Sequence, residues 1–363
     1  MITAPPAGSG PAGLVAFSAR ALGSALRLTV RLPDAASPAQ RAAGQAAADA
    51  AWAAVQAEFD AVDVALSRFR DDSELTMLNR LAGSGRVVEV SWRTRRALAA
   101  IDRAGRVTDG RFDASILGAL ERIGEHGARL EPALAPGPGL APGPGLAPGG
   151  SGAPGGSVAP GGSVAPAGGR GDAADRRSRV HVPPVPVDMG GIGKGLALRW
   201  ACARALQSLP DGAGLQLEAG GDVVTGGIPP DDGWLIGVED PAAADSDAAT
   251  PLAVVELRSG AVATSSVRVR RWVGPDGRVV HHLIDPRTGE PARTGLIAVT
   301  VAGADPAWAE VWSKALFLAG RMGIAAEARS RDLAAWWITD EGRLGLTPAA
   351  RMQTAWAAED RLG

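Results

Sequence analysis

Apolar residues recur at alternating spacings of three and four through Trp52, Val55, Phe59, Val62, Leu66 and Phe69. That spacing predicts a long helix beginning near Ser37, with one apolar stripe turned to a core. Ahead of it, residues 14–32 read as two short strands around Gly23, and residues 93–107 read as a second helix. Further along, the pattern predicts a helix over 193–209 and strands at 215–224, 234–238, 253–257, 261–264, 279–284 and 296–301. A helix over 307–319 and a last hairpin over 334–346 complete the reading. Strands in runs, with helices interspersed irregularly, predict an α+β fold rather than a doubly wound sheet.

The patterning stops between 131 and 169, where LAPGPG occurs twice and is followed by LAPGG, SGAPGG, SVAPGG and SVAPAGG. Gly does not recur at every third position, so a collagen helix is excluded. The segment is expected to be a disordered insertion that continues through the charged GRGDAADRRSR stretch to about residue 179. Neither flank alone has complete patterning. The expectation is therefore a disordered N-terminus at 1–13 and a single domain over 14–363, interrupted by the insertion.

Composition narrows the partners. A formal net charge of −2 offers no basic surplus for a phosphate backbone, so nucleic acid is not expected. Cys202, the single cysteine, cannot form an intrachain disulfide. The opening MITAPPAGSGPAG lacks a charged start and an apolar run, and no stretch reaches the ~18 apolar residues of a membrane helix. A cytoplasmic protein without a membrane partner is expected.

There is no GxGxxG after a strand, no Walker loop and no HExxH, and His126, His181, His281 and His282 lack metal-ligand spacing. Candidate chemistry lies instead in turns rich in Gly, Asp and Ser/Thr, which can present backbone N–H groups to an anion. Each has a plainer explanation. Gly190 and Gly191 could supply positive φ before a helix, and Asp113 and Asp188 could cap turns. A type I turn on Asp-Pro accounts for Asp285, Pro286 and Gly289, but not for His282. Lys194 falls in the first turn of a helix, where a cation is disfavoured unless an anion is near.

Four segments in order resemble the FAD:protein FMN transferases, the ApbE-like family: TDGRFDASI around Asp113, VDMGGIGKG around Asp188 and Lys194, LEAGGD around Gly220 and Gly221, and HHLIDPRTGEP around His282 and Asp285. Weaker echoes are ALGS, SRFRDDSELTMLN, WLIGVEDP and ATSSVRVRRW. The resemblance implies a T-fold-like α+β architecture that binds FAD and moves FMN to a threonine of an acceptor protein, releasing AMP. It puts Leu22 and Phe69 against the flavin ring. Phe112, Asp113, Asp188, Lys194, Gly220, Gly221, Ser265 and the backbone near Leu283 would complete the cradle. Asp113 and Asp188 are expected at opposite ends of a dinucleotide-sized site, and His282 or Asp285 is the expected acceptor of the threonine proton or holder of the phosphate.

The resemblance also implies a magnesium site, built from an aspartate and a threonine on one helix and a carbonyl at Gly191. Here that helix reads AEVWSK, with Glu310 at the aspartate position and Lys314 at the threonine position, and Arg199 stands where an aspartate is usual. A protonated lysine cannot ligate magnesium. Lys194, Lys314 and Arg199 could neutralise the pyrophosphate in its place. Glu310 and Lys314 could equally form an exposed i, i+4 pair worth ~0.3–0.5 kcal/mol. Hydrolysis of FAD, or flavin binding without catalysis, are the alternative activities.

Overall fold

The computed structural model describes residues 13–125, 177–241, 250–268 and 270–363. Residues 1–12 of the expected N-terminal tail and the low-complexity segment (131–169) lie outside these.

An eight-stranded, wholly antiparallel sheet forms the centre, and its strands lie side by side in chain order. They are β1 (Leu14–Ala21), β2 (Ser24–Arg31), β3 (Gly214–Ala219), β4 (Asp222–Gly227), β5 (Gly260–Ser266), β6 (Leu296–Gly303), β7 (Ala334–Thr339) and β8 (Leu344–Leu346). Four longer helices serve it: α1 (Pro38–Leu66), α2 (Trp92–Val107), α3 (Gly193–Ser208) and α4 (Pro306–Ser330).

The period-2 alternation of the strands separates two cores. One face turns Leu26, Leu28, Val30, Leu215, Leu217 and Val224 toward Val55, Phe59 and Val62 of α1 and Leu196 and Leu198 of α3. The opposite face turns Val223, Val262 and Ala298 toward a three-stranded sheet of Thr354–Ala357, Ala253–Leu257 and Trp234–Val238. Adjacent Val223 and Val224 lie in different cores, as a strand buried on both faces requires.

The start of α1 is set by a capping box. Ser37 Oγ accepts from the Gln40 amide at 3.2 Å, and Gln40 Oε1 accepts from the Ser37 amide at 3.1 Å. The apolar stripe packs as expected through Leu66, but α1 ends there, and Phe69 is 58% exposed rather than in the core. The single strand expected over 215–224 is a hairpin, because Gly220 and Gly221 both adopt positive φ (59° and 89°) and turn the chain back. The strand expected over 279–284 is broken at His282 and Leu283 into Val279–His281 and Ile284–Asp285. Gly320, at φ 74°, ends the helical stretch where the sequence suggested, but α4 resumes beyond this kink to Ser330. A strand at Ser178–His181 pairs with Val87–Val90, so regular structure begins inside the last residues assigned to the insertion.

Candidate functional site

Two tight turns meet at one end of the sheet. Leu22 (φ 48°) and Gly23 (φ 74°) join β1 to β2, and Gly220 and Gly221 join β3 to β4. The Gly220 amide donates to the Ala25 carbonyl at 3.0 Å, which fixes the two turns side by side. A leucine in the left-handed region costs of order 1–3 kcal/mol, and such strain is typical of residues held for a purpose. A Cβ on Gly220 would sit 3.8 Å from Lys194 Cδ, so Lys194 lies beside this pair of turns.

Lys194, in the first turn of α3, finds the anions its position calls for. Its ammonium pairs with Asp222 and lies 3.4 Å from Glu310 Oε1. Burial opposes its charge, but Asp222 and then Glu310 outweigh burial and raise its pKa above the ordinary lysine value. Lys314 Nζ lies 3.3 Å from the same Glu310 oxygen, and Glu310 Oε2 accepts from the Gly195 amide at 2.8 Å. Burial works against the Glu310 charge, while Lys194 and Lys314 override it and lower its pKa. Asp222 is pushed the other way, chiefly by burial. Its second oxygen accepts from the Thr264 amide at 3.0 Å. Glu310 is 1% exposed, so the exposed surface pair is not what forms.

Magnesium does not fit this arrangement. Each Glu310 oxygen already faces donors, Lys314 brings an ammonium without a lone pair, and magnesium demands oxygen ligands at about 2.0–2.1 Å in near-octahedral geometry. Two cations already answer two carboxylates here. Arg199, by contrast, pairs with Asp305 at the start of α4 and is thereby withdrawn from the cluster. That corrects its expected part in charge neutralisation.

From Lys314 the site continues into a cleft lined by Phe112, Asp113, Asp188, Gly191, His282, Leu283 and Lys314 among others. Asp113 and Asp188 are neighbours in it, not opposite ends, because the Asp188 amide donates to the Ala114 carbonyl at 2.8 Å. Asp113 Oδ1 accepts from the Ser115 amide at 2.8 Å, and Asp188 Oδ2 accepts from the Gly190 amide at 2.8 Å. Both therefore cap turns while lining the cleft. Neither Gly190 nor Gly191 has positive φ. Glycine is needed because a Cβ on Gly190 would lie 2.7 Å from Asp188 Oδ2, and one on Gly191 2.8 Å from Phe112 Cε2. Gly191→Ala is accordingly expected to push the Phe112 ring aside and cost about 1–3 kcal/mol of stability, measurable by urea unfolding.

The adjacent histidines differ. His281 Nε2 contacts the Ala292 carbonyl at 3.1 Å, and its ring meets Phe317 edge-on, a packing role. His282 Nδ1 lies 3.4 Å from the Arg270 carbonyl. A carbonyl only accepts, so the neutral ring carries its proton on Nδ1 and leaves Nε2 with a lone pair. Burial, then the charges of Arg270 and Lys314, hold its pKa well below the ordinary histidine value. Asp285 is different again. Both its oxygens face the Arg287 guanidinium, at 3.0 and 2.8 Å, and that hydrogen bonding lowers its pKa and makes it a weak base.

Ser265 is not brought to the cleft. It is buried, its hydroxyl 2.7 Å from that of Ser313, which in turn donates to the Glu310 carbonyl. Phe69 is exposed, with the Arg68 guanidinium 4.3 Å from its ring centre. Sequence reasoning singled out neither Arg68, which pairs with Asp188 at 2.8 Å, nor Asp222, Glu125 and Arg270. The signal that could have found three of them was position: Arg68, Asp222 and Arg270 belong to segments already picked out, SRFRDD, LEAGGD and ATSSVRVRRW. Among the described residues no helix is long and apolar enough to cross a membrane.

Known proteins share this arrangement of elements. A profile described as the ApbE family matches residues 22–139 and 164–337. A curated relative from Klebsiella pneumoniae (strain 342), named FAD:protein FMN transferase, is 26% identical over 306 residues, covering 82% of this chain and 79% of that protein. One of the same name from Salmonella typhimurium is 25% identical, covering 79% and 76%. The crystal structure of the ApbE protein of Thermotoga maritima superposes with a TM-score of 0.68 at 25% identity, covering 94% of this chain and all of that one. The apo flavinyl transferase ApbE of Pseudomonas stutzeri, at 20% identity and a TM-score of 0.67, shares the fold and covers 95% of this chain and 98% of that one.

Proposed function

The chain belongs to the ApbE family, and from that premise we propose that it moves FMN from FAD to a threonine of an acceptor protein. The threonine oxygen attacks the phosphorus on the FMN side, the bond to the bridging oxygen breaks, AMP leaves, and the hydroxyl proton passes to His282 Nε2. The observation that carries this reading is the neutral His282, its Nδ1 turned to the Arg270 carbonyl, lining one cleft with Lys314, Asp113 and Asp188. The low pKa keeps the Nε2 lone pair free of a proton at neutral pH, and the fixed cation beside it faces the charge that develops on phosphate.

Leu22, Phe69 and Phe112 offer apolar surface for the flavin ring. Gly220, Gly221, Gly191 and the Leu283 backbone allow close approach of phosphate, and Ser265 supports the site through Ser313. Lys194 and Lys314 supply the positive charge, held ready by Asp222 and Glu310. The test is mass spectrometry of a threonine-bearing acceptor peptide incubated with FAD, looking for the added FMN mass. AMP release without acceptor would instead identify hydrolysis, and retained FAD without AMP a binding protein.

FAD should bind more tightly than FMN, because the site runs from the cleft at Asp113 past Lys314 and Lys194 to the turns at Leu22 and Gly220. Equal affinities in a fluorescence titration would contradict a dinucleotide site. Because ammonium groups take the place of metal, EDTA should leave the rate of AMP release unchanged. Lys314→Ala should lower it roughly 10- to 150-fold, the worth of one charge-assisted hydrogen bond. A wild-type chain active only with added magnesium would refute this assignment of Lys314.

A further inference from the structure

Four acidic and basic side chains from separate parts of the chain, Asp188, Arg68, Glu125 and Arg270, form an unbroken row, and all but Arg68 line the cleft. Arg68 Nε lies 2.8 Å from Asp188 Oδ1, and Arg68 Nη2 lies 3.0 Å from Glu125 Oε2. The other Glu125 oxygen receives the Arg270 guanidinium. The Glu125 main-chain carbonyl also accepts from Arg68 Nη1 at 3.3 Å. The side chains of Arg68, Glu125 and Asp188 are only 10%, 7% and 9% exposed.

Such a row is a poor source of stability. Taking charges out of water costs roughly what their attraction returns, and apolar groups of equal volume often do as well. Each end of it, however, reaches a different working part of the site. Arg68 lies over the Phe69 ring and holds Asp188, and Arg270 is the residue whose carbonyl faces His282 Nδ1. Glu125 joins the two halves.

Resting on the flavin-transfer reading, we propose that Glu125 is a positioning residue for that reaction, keeping Arg68, Phe69 and Asp188 in register with Arg270 and His282. It acts through its two arginines. Losing the carboxylate takes one partner from each guanidinium, leaving Arg68 to Asp188 and the Glu125 carbonyl alone, which loosens the Phe69 and Asp188 side of the cleft and the Arg270 carbonyl that sets the His282 tautomer. FAD affinity depends on the first effect and the rate at saturating FAD on the second.

Full-length Glu125→Gln should therefore weaken FAD in a fluorescence titration and slow AMP release at saturating FAD, each roughly 10-fold, within the range found for residues coupled in one network. Glu125→Asp should recover part of both. In a His282→Ala background, Glu125→Gln should no longer change the residual rate but should still weaken FAD, a split that a merely structural residue would not produce. Wild-type rate and affinity in Glu125→Gln, or a rate loss undiminished in the His282→Ala background, would overturn the proposal. Should Glu125→Gln not fold, the charge-balanced pair Glu125→Met with Arg270→Met is read in the same assays against the same outcomes. A wild-type chain that releases no AMP overturns the flavin-transfer reading and this inference with it. Release by the wild type with no response to Glu125 overturns this inference alone.

Discussion

His282→Ala is expected to slow AMP release about 10²- to 10⁴-fold, the usual contribution of a positioned general base, while leaving FAD bound. The pH profile of the wild type provides the companion test. A base of ordinary histidine pKa, about 6.5, would lose activity as pH falls from about 7 to about 6. The His282 pKa is held well below that by burial and by Arg270 and Lys314, so the ring remains unprotonated across this interval and activity should stay flat, falling only at lower pH. The same depression gives the sign for stability. The unfolded chain binds the proton more readily, so the contribution of His282 is complete above about pH 6.5 and is lost as pH falls from there through the folded value. An activity limb centred near the ordinary histidine value, absent in His282→Ala, would rule out the depressed pKa.

Glu310→Ala should cost the folded state about 3–5 kcal/mol in urea unfolding, the range found when one member of a buried ion pair is removed. Two ammonium groups would then face only Asp222, and the Gly195 amide would lose its acceptor. Replacing Glu310 and Lys314 together by methionine should cost far less, because no uncompensated charge is created at either position. If Glu310→Ala unfolds like the wild type, the carboxylate is not holding the cluster together.

Much of this architecture is legible in the sequence because local patterning and the fold agree. The spacing of Trp52 to Leu66 predicts α1, and its start falls near Ser37 as expected, with Ser37 as N-cap. The reading fails where a local signal has two physical meanings. The run 215–224 is rich in apolar residues because both faces of β3 and β4 are covered, so it hides the turn that Gly220 and Gly221 make. Phe69 continues a helical spacing beyond the end of its helix, since Ser67 is already extended. Among site residues, the fold brings Phe112, Asp113, Asp188, Gly191, His282 and Lys314 together in one cleft. Asp285 shows how far a motif can mislead about a role, because its carboxylate is occupied by Arg287, two residues away. Arg68, Glu125 and Arg270 could not be read together, since only the folded chain makes them neighbours.

The chain-order arrangement of the central sheet has a consequence for how the protein is made. The β1–β2 hairpin is complete by Arg31, yet its neighbour β3 begins with Gly214, more than 180 residues later. At the usual 5–20 residues per second of synthesis, the β2 edge waits roughly 10–40 s for its partner. For most of that time Leu26, Leu28 and Val30 lack both α3 and β3, and a row of backbone donors and acceptors stays open to any other strand. From β5 onward the partners arrive sooner: β6 begins 30 residues after the end of β5, and β7 and β8 follow closely. The C-terminal strands can therefore zip together quickly, and the N-terminal hairpin becomes the slow, aggregation-exposed part of the folding reaction.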